Sequence, residues 1–168
     1  MSWKMAQSEK LKKGKRMNED LIQIQDPISF VDKWDYPYFT IKEMVCKHSN
    51  ILGYDERFMD SLVSLREKCG FGFPVTSYYR HADQNDLAKS HPIEKKKIAF
   101  GGKAGSHSTG KAVDIGLDRE RAFILLKTAM DMGIFTGIGV NQKGNARFIH
   151  LDTCNASDGF NRPTVWSY

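Results

Sequence analysis

A chain of 168 residues fits one core of the usual size, and a second would leave both halves small. With 40% hydrophobic and 27% charged residues the composition is globular, and no run approaches the ~20 apolar residues that cross a bilayer, so a membrane-spanning class is excluded. The net charge of +5 invites a nucleic-acid reading, but residues 1–16 carry six bases against the single acid Glu9, while the other 19 bases are matched by 19 acids; no nucleic-acid partner is expected of the domain.

Residues 1–27 are expected to form a basic, disordered arm, without the continuous apolar stretch of a secretory signal, and residues 28–168 the domain. Aromatics mixed with Pro27 and Pro37 predict an irregular segment over Ile28–Tyr38. Thr40-Ile-Lys-Glu43 has capping-box spacing and predicts a short helix to about Lys47. Phe58, Met59, Leu62, Leu65 and Cys69 recur at helical spacing and stop at Gly70, which predicts an amphipathic helix over Glu56–Cys69.

Phe73–Tyr79 is rich in β-branched and aromatic residues and reads as a strand leading to Arg80, followed by a short helix around Ala82–Lys89. From Ser90 to Gly105 the lysines and glycines predict a long exposed connection near a site, with Lys95-Lys96-Lys97 a solvated face. Ala112–Gly116, Gly137–Val140 and Arg147–Asp152 read as strands, and Asp118–Met132 as a helix capped by Asp118 and closed at Gly133. Helices and strands alternate without a βαβ rhythm, so the class is α+β, a small, largely antiparallel sheet with packed helices.

Cys46, Cys69 and Cys154 have no Cys-x-x-Cys spacing, which leaves reduced thiols as the default and a Cys46–Cys69 bridge open. His48, His81 and His91 are expected on the surface or in loops, with His91 near enough to a site to approach a substrate. Monomer is the default state.

Period-two alternation sets Ala112, Asp114 and Gly116 on one face of their strand opposite Val113 and Ile115, and Phe148, His150 and Asp152 opposite Ile149 and Leu151. If the two strands are neighbours, directly opposed Cβ atoms lie ~4.5–5.5 Å apart, so Asp114 and His150 can share one ion. His107, separated from Asp114 by a Ser108-Thr109-Gly110 turn, can complete a set of two imidazoles and one carboxylate with a fourth position left for water. Taken singly, each residue has an ordinary alternative, a hydrogen-bonded histidine or an aspartate in a turn.

Gly105-Ser-His107-Ser-Thr-Gly110-Lys-Ala112-Val-Asp114 closely resembles the Ser-x-His-x-x-Gly-x-Ala-x-Asp motif of the zinc D-Ala-D-Ala carboxypeptidases and related phage lysins. Val75-Thr-Ser-Tyr-Tyr-Arg80 with Asn85, Phe148-Ile-His150-Leu-Asp152 and Arg162-Pro-Thr-Val-Trp166-Ser-Tyr168 are similar to further family segments in the same order, so the resemblance spans about residues 38–168. It implies a hedgehog/DD-peptidase-like fold and a zinc metallopeptidase with one Zn2+ on His107, Asp114 and His150. It also implies hydrolysis of peptidoglycan stem peptides at the cell wall or in the periplasm, as a carboxypeptidase or an endopeptidase, in the manner of a phage endolysin or a virion-carried hydrolase.

Arg80 is then expected to hold a substrate carboxylate or to stabilise charge developing on the carbonyl oxygen. The chain departs from the family at Gly105, where the motif has Ser, at Tyr78, where it has Gly, and at Arg147, where several relatives carry the carboxylate that acts as base. Asp152 is the candidate base, with a carboxylate that merely orients His150 as its alternative, and an inactive zinc-bearing module that binds wall is the rival to an enzyme.

Overall fold

The computed structural model describes residues 20–168. Of the arm expected over residues 1–27, residues 1–19 lie outside these. Ile22–Ile24 form strand β1, paired antiparallel with β2 (Leu52–Tyr54) so that Ile22 meets Tyr54. The inward residue of β1 is the polar Gln23, whose amide donates to the Tyr79 hydroxyl. That inverts the usual alternation, so the pattern gave no strand signal, and the pairing partner supplies one.

Helix α1 (Ile41–Met44) begins at Thr40, whose N–H and hydroxyl both donate to the Glu43 carboxylate, at 2.9 and 2.7 Å. It ends at Met44 rather than Lys47. Helix α2 (Glu56–Cys69) starts where Asp55 accepts the Phe58 N–H at 2.7 Å, and it stops at Gly70, whose φ of 74° suits a residue without Cβ. Strand β3 (Val75–Ser77) follows, shorter than predicted.

The helix expected around Ala82–Lys89 does not form. Asp83 accepts the N–H groups of Asn85 and Asp86 at 2.9 and 3.1 Å, and Ser90 takes the N–H of Asp83, so side chains satisfy the backbone in a turn instead. Helicity appears later, as α3 (Pro92–Ala99), with Pro92 in its first turn and His91 as its cap, inside the stretch predicted to be an exposed connection. Lys95, Lys96 and Lys97 are exposed as expected, but Glu94 on the same helix is fully buried.

Four further strands and one helix complete the chain: β4 (Ala112–Ile115), α4 (Arg119–Met132), β5 (Gly137–Asn141), β6 (Phe148–Asp152) and β7 (Thr164–Ser167). The five-stranded sheet has the order β3-β4-β6-β5-β7, antiparallel except for the parallel β5–β7 pair. The architecture is α+β. Asp118 precedes α4 without capping it through its side chain, and Gly133 closes it at φ 66°.

Val113, Ile115, Ile149 and Leu151 are all inaccessible and share one core with Phe58, Leu62 and Leu65 of α2 and Leu125 and Ala129 of α4. Each such side chain contributes about 1.5–3 kcal/mol by burial, so this face fixes the register of the central strands. Tyr54 of β2 packs edge-on against Trp34, with ring centres 5.3 Å apart. All three cysteines are free, and among the described residues no helix is long and apolar enough to cross a membrane.

Candidate metal centre

The apolar face of β4 and β6 presses into the helices, and period two therefore turns Asp114 and His150 to the other side. The antiparallel register makes them direct partners, with Ala112 opposite Asp152 two residues along. His107 arrives on a short 3-10 turn, Ser106–Thr109, ended by Gly110 at φ 73°, where a Cβ would lie 2.8 Å from the Leu21 side chain and 2.9 Å from the Tyr54 backbone. The turn is tied to β3 and its extension. Tyr78 donates its hydroxyl to the Gly110 carbonyl at 2.7 Å, and the Arg80 N–H donates to the His107 carbonyl at 3.2 Å.

The three side chains meet. Oδ1 of Asp114 lies 3.2 Å from Nε2 of His107 and 2.9 Å from Nδ1 of His150, and the two rings are 5.0 Å apart. One ligand atom from each of the three residues lies within 4.8 Å of the others, and all three residues are buried.

Their outer contacts settle which atoms carry protons. Nδ1 of His107 lies 2.5 Å from the Tyr78 carbonyl, which only accepts, so Nδ1 donates and Nε2 presents a lone pair. Nε2 of His150 lies 2.9 Å from Oδ2 of Asp152 and Nδ1 lies 2.9 Å from Oδ1 of Asp114, so Nε2 donates to Asp152, and a metal ion that displaces the Nδ1 proton meets a lone pair there. Two nitrogen lone pairs and a carboxylate oxygen thus converge on one point, an arrangement that repels unless a proton or a cation sits among them. These residues can hold a metal ion, and a mixed nitrogen and oxygen donor set suits a divalent transition metal.

Where no ion is present, charge and hydrogen bonds favour a proton among these groups. Burial would raise the Asp114 carboxyl, but the charge and hydrogen bonds of His107, then those of His150, hold it well below the ordinary carboxylate range. Burial lowers His107 despite Asp114. Burial also opposes protonation of His150, yet hydrogen bonds to Asp114 and Asp152 overcome it and leave its pKa raised.

Asp152 stands behind His150 and has no accessible surface. Arg162 grips it with a fork, Nε to Oδ1 at 2.9 Å and Nη2 to Oδ2 at 2.7 Å, and the Cys154 N–H donates to Oδ1. Burial raises its pKa, but His150 and then Arg162 hold it down at about 2. Strand β5 leaves room for this packing through two glycines. A Cβ on Gly137 would sit 2.2 Å from Asp152, and one on Gly139 would sit 2.7 Å from the Trp166 ring, which lies 5.1 Å from that of His150.

Arg80 reaches the outer oxygen of Asp114 with Nη2 at 3.1 Å and the Ser77 hydroxyl with Nε at 3.0 Å. Arg147 turns elsewhere, donating to the Gly144 carbonyl at 2.9 Å and approaching Asp118. His81 lies in a loop, as one of the two expected placements has it, and is buried beside Gln23 and Tyr79. His48 lies at the surface and His91 caps α3.

Three participants escaped the sequence reading. The Tyr78 carbonyl is a backbone group and leaves no mark in residue type. Arg162 was noted only within the C-terminal segment, ten residues beyond the carboxylate it grips. Glu94 falls within the stretch predicted to be an exposed connection, yet its carboxylate accepts the Gly105 N–H at 2.6 Å and pairs with Lys97 at 3.3 Å, which anchors the turn that carries His107. A Cβ on residue 105 would lie 2.3 Å from Nζ of Lys97, the flexible end of that side chain, and 3.4 Å from the Glu94 carboxylate, so the clamp packs closely on Gly105.

Comparison with known protein families, with curated proteins and with solved structures returned no match.

Proposed function

We propose that the chain is a zinc-dependent peptidase that hydrolyses peptide bonds in the stem peptides of peptidoglycan, related to the zinc D-Ala-D-Ala carboxypeptidases and phage endolysins, with their hedgehog-type fold. The observation that carries the reading is the convergence of lone pairs from His107, Asp114 and His150, with both imidazole tautomers set from outside. Two imidazoles and a carboxylate are the donor set of a catalytic zinc site that keeps a fourth position open. When bound, zinc supplies Lewis-acid polarisation of a scissile carbonyl and acidifies water toward a pKa of ~7.

The chain's own residues then divide the remaining work. Arg80, anchored by Ser77 and Asp114, holds a substrate carboxylate or stabilises negative charge growing on the carbonyl oxygen. Asp152 is a positioning residue rather than the base, because both its oxygens are engaged and neither is accessible; it orients His150 and fixes its tautomer. The resemblance places the activity at the bacterial wall, in the setting of a phage lysin.

Zinc-loaded protein incubated with purified peptidoglycan is expected to release stem-peptide fragments identified by mass spectrometry, and His107→Ala to release none. The second reading, a zinc-bearing module that binds wall without cutting it, is favoured by Arg147, which stands where relatives carry a carboxylate and is turned to Gly144. Stoichiometric zinc, sedimentation with the wall and no released fragments across several wall types would select it.

A further inference from the structure

The face of the sheet that carries the candidate ligands holds one more polar group. The strand registers line up Asp114, His150, Gly139 and Trp166 in a row across β4, β6, β5 and β7. The next row on that face lies two residues along, about 6.7 Å away, and contains Phe148 and Asn141 as partners. Tyr168 joins it from the residue after β7, with its N–H donating to the Val140 carbonyl at 3.2 Å.

The Tyr168 side chain lies across the sheet. Its ring centre is 5.0 Å from that of Phe148, two strands away, and 6.3 Å from that of Trp166. Neighbouring strands are about 4.8 Å apart, so the side chain spans β5 to make that contact. Asn141 does not compete for the space, because its amide turns to the Ala146 carbonyl at 3.0 Å.

The phenol thus points back toward the candidate metal centre, and its acidity responds to the groups there. Burial raises its pKa, a hydrogen bond with Trp166 lowers it, Asp114 raises it and Arg80 lowers it, with a net upward direction. The phenol is therefore protonated at neutral pH. An indole N–H only donates, so Trp166 uses the phenol oxygen as acceptor and leaves the Tyr168 O–H to donate elsewhere. Tyr168 is 52% exposed and open to a ligand, whereas Asp152 is enclosed.

Arg80 reaches Asp114 from the β3 side of the sheet and Tyr168 approaches from the β7 side, so a charged and a neutral donor flank the point where the three ligands converge. The geometry points to Tyr168 as a further catalytic residue, whose phenol O–H donates to the scissile carbonyl oxygen as negative charge grows there, from the side opposite Arg80. This role rests on the peptidase reading. A neutral donor adds no positive charge that would repel a metal ion. A fixed donor whose bond strengthens only as charge develops shows its loss in kcat more than in KM.

Tyr168→Phe removes the hydroxyl and keeps a ring on Phe148. With a soluble muropeptide carrying the bond that wall digestion identifies, the zinc-loaded variant is expected to lose about 100-fold in kcat while KM stays within about threefold. Zinc affinity, by competition with a chelator, and urea unfolding are expected to match the wild type. A readout without turnover comes from the full chain loaded with cobalt, a paramagnetic ion that suits the same donors. Cobalt is expected to shift and broaden the NMR signal of the hydroxyl-bearing carbon of Tyr168, identified as the tyrosine signal that Tyr168→Phe lacks.

A wild-type kcat in Tyr168→Phe, a lower kcat accompanied by weaker zinc binding or easier unfolding, or a Tyr168 signal indifferent to cobalt overturns the role. Each of these leaves wall digestion by the wild type intact and the peptidase reading standing. Release of nothing from any wall by the zinc-loaded wild type fails that reading, and the role of Tyr168 falls with it.

Discussion

The two halves of the candidate metal centre are held by different means. Asp114 and His150 stand on central strands whose opposite faces are inaccessible, so moving either one requires slipping a register that the core fixes. His107 stands on a turn positioned by hydrogen bonds, to the Tyr78 carbonyl, from the Arg80 N–H, and through Gly105 to Glu94 on α3. A site assembled this way has one rigid wall and one adjustable wall. Damage to the first half should cost stability, and damage to the second should cost affinity for metal with the fold intact.

The comparison breaks most severely in the core. Ile149→Ala removes a fully buried side chain that shares the core-facing side of β6 with Leu151, opposite His150. It should destabilise the protein by about 2–5 kcal/mol in urea unfolding and lose metal as the fold is lost. A stable variant with normal unfolding would mean that the apolar face does not set the register.

Next in size is the outer carboxylate. Asp152→Asn should weaken metal binding by roughly 10–100-fold, measured by competition with a chelator, because His150 loses its ionised partner. Unchanged affinity with lost turnover would instead return Asp152 to the role of base. The same variant carries a pH signature in the metal-free protein. The folded pKa of Asp152 is held at about 2 against an ordinary 3.8, so its contribution to stability is present above the ordinary value and is lost as pH falls through that window. The wild type should lose stability more steeply than Asp152→Asn between those two values.

The smallest effects belong to the turn. Glu94→Ala leaves the Gly105 N–H without its partner and should reduce metal affinity by about tenfold, at the low end for groups that orient ligands, while the sheet unfolds as before. Gly105→Ser, which restores the residue of the motif, collides with the flexible end of Lys97, and adding Lys97→Ala should recover whatever it loses. Failure of that rescue would place the need for glycine in the backbone rather than in the clamp.

The strand-borne half was readable because its signal is local. Alternation in Ala112–Ile115 and Phe148–Asp152 tells which side chains share a face, and burial of the other face makes that assignment firm. Helix α2 was readable for the same reason, with its cap, period and terminal glycine all inside one segment. Residues 82–99 were misread because local signals competed: Asp83 and Ser90 form turns where a helix was expected, and a buried Glu94 makes a helix of a lysine-rich run that looks like a loop. Strand β1 was missed because its inward residue is polar and finds its partners in Tyr79 and His81.

The sequence by itself determined the α+β class from the order of its elements, the faces of the two central strands from alternation within a few residues, and, through a motif resemblance, the residues able to bind a metal. Tertiary structure decided that Asp114 and His150 are register partners, that a backbone carbonyl and an arginine-held carboxylate set the two imidazole tautomers, and that Glu94 fastens the turn bearing His107. These are contacts between segments far apart in the chain, and the free energy that selects them comes from burying one face of the sheet, which no single segment contains.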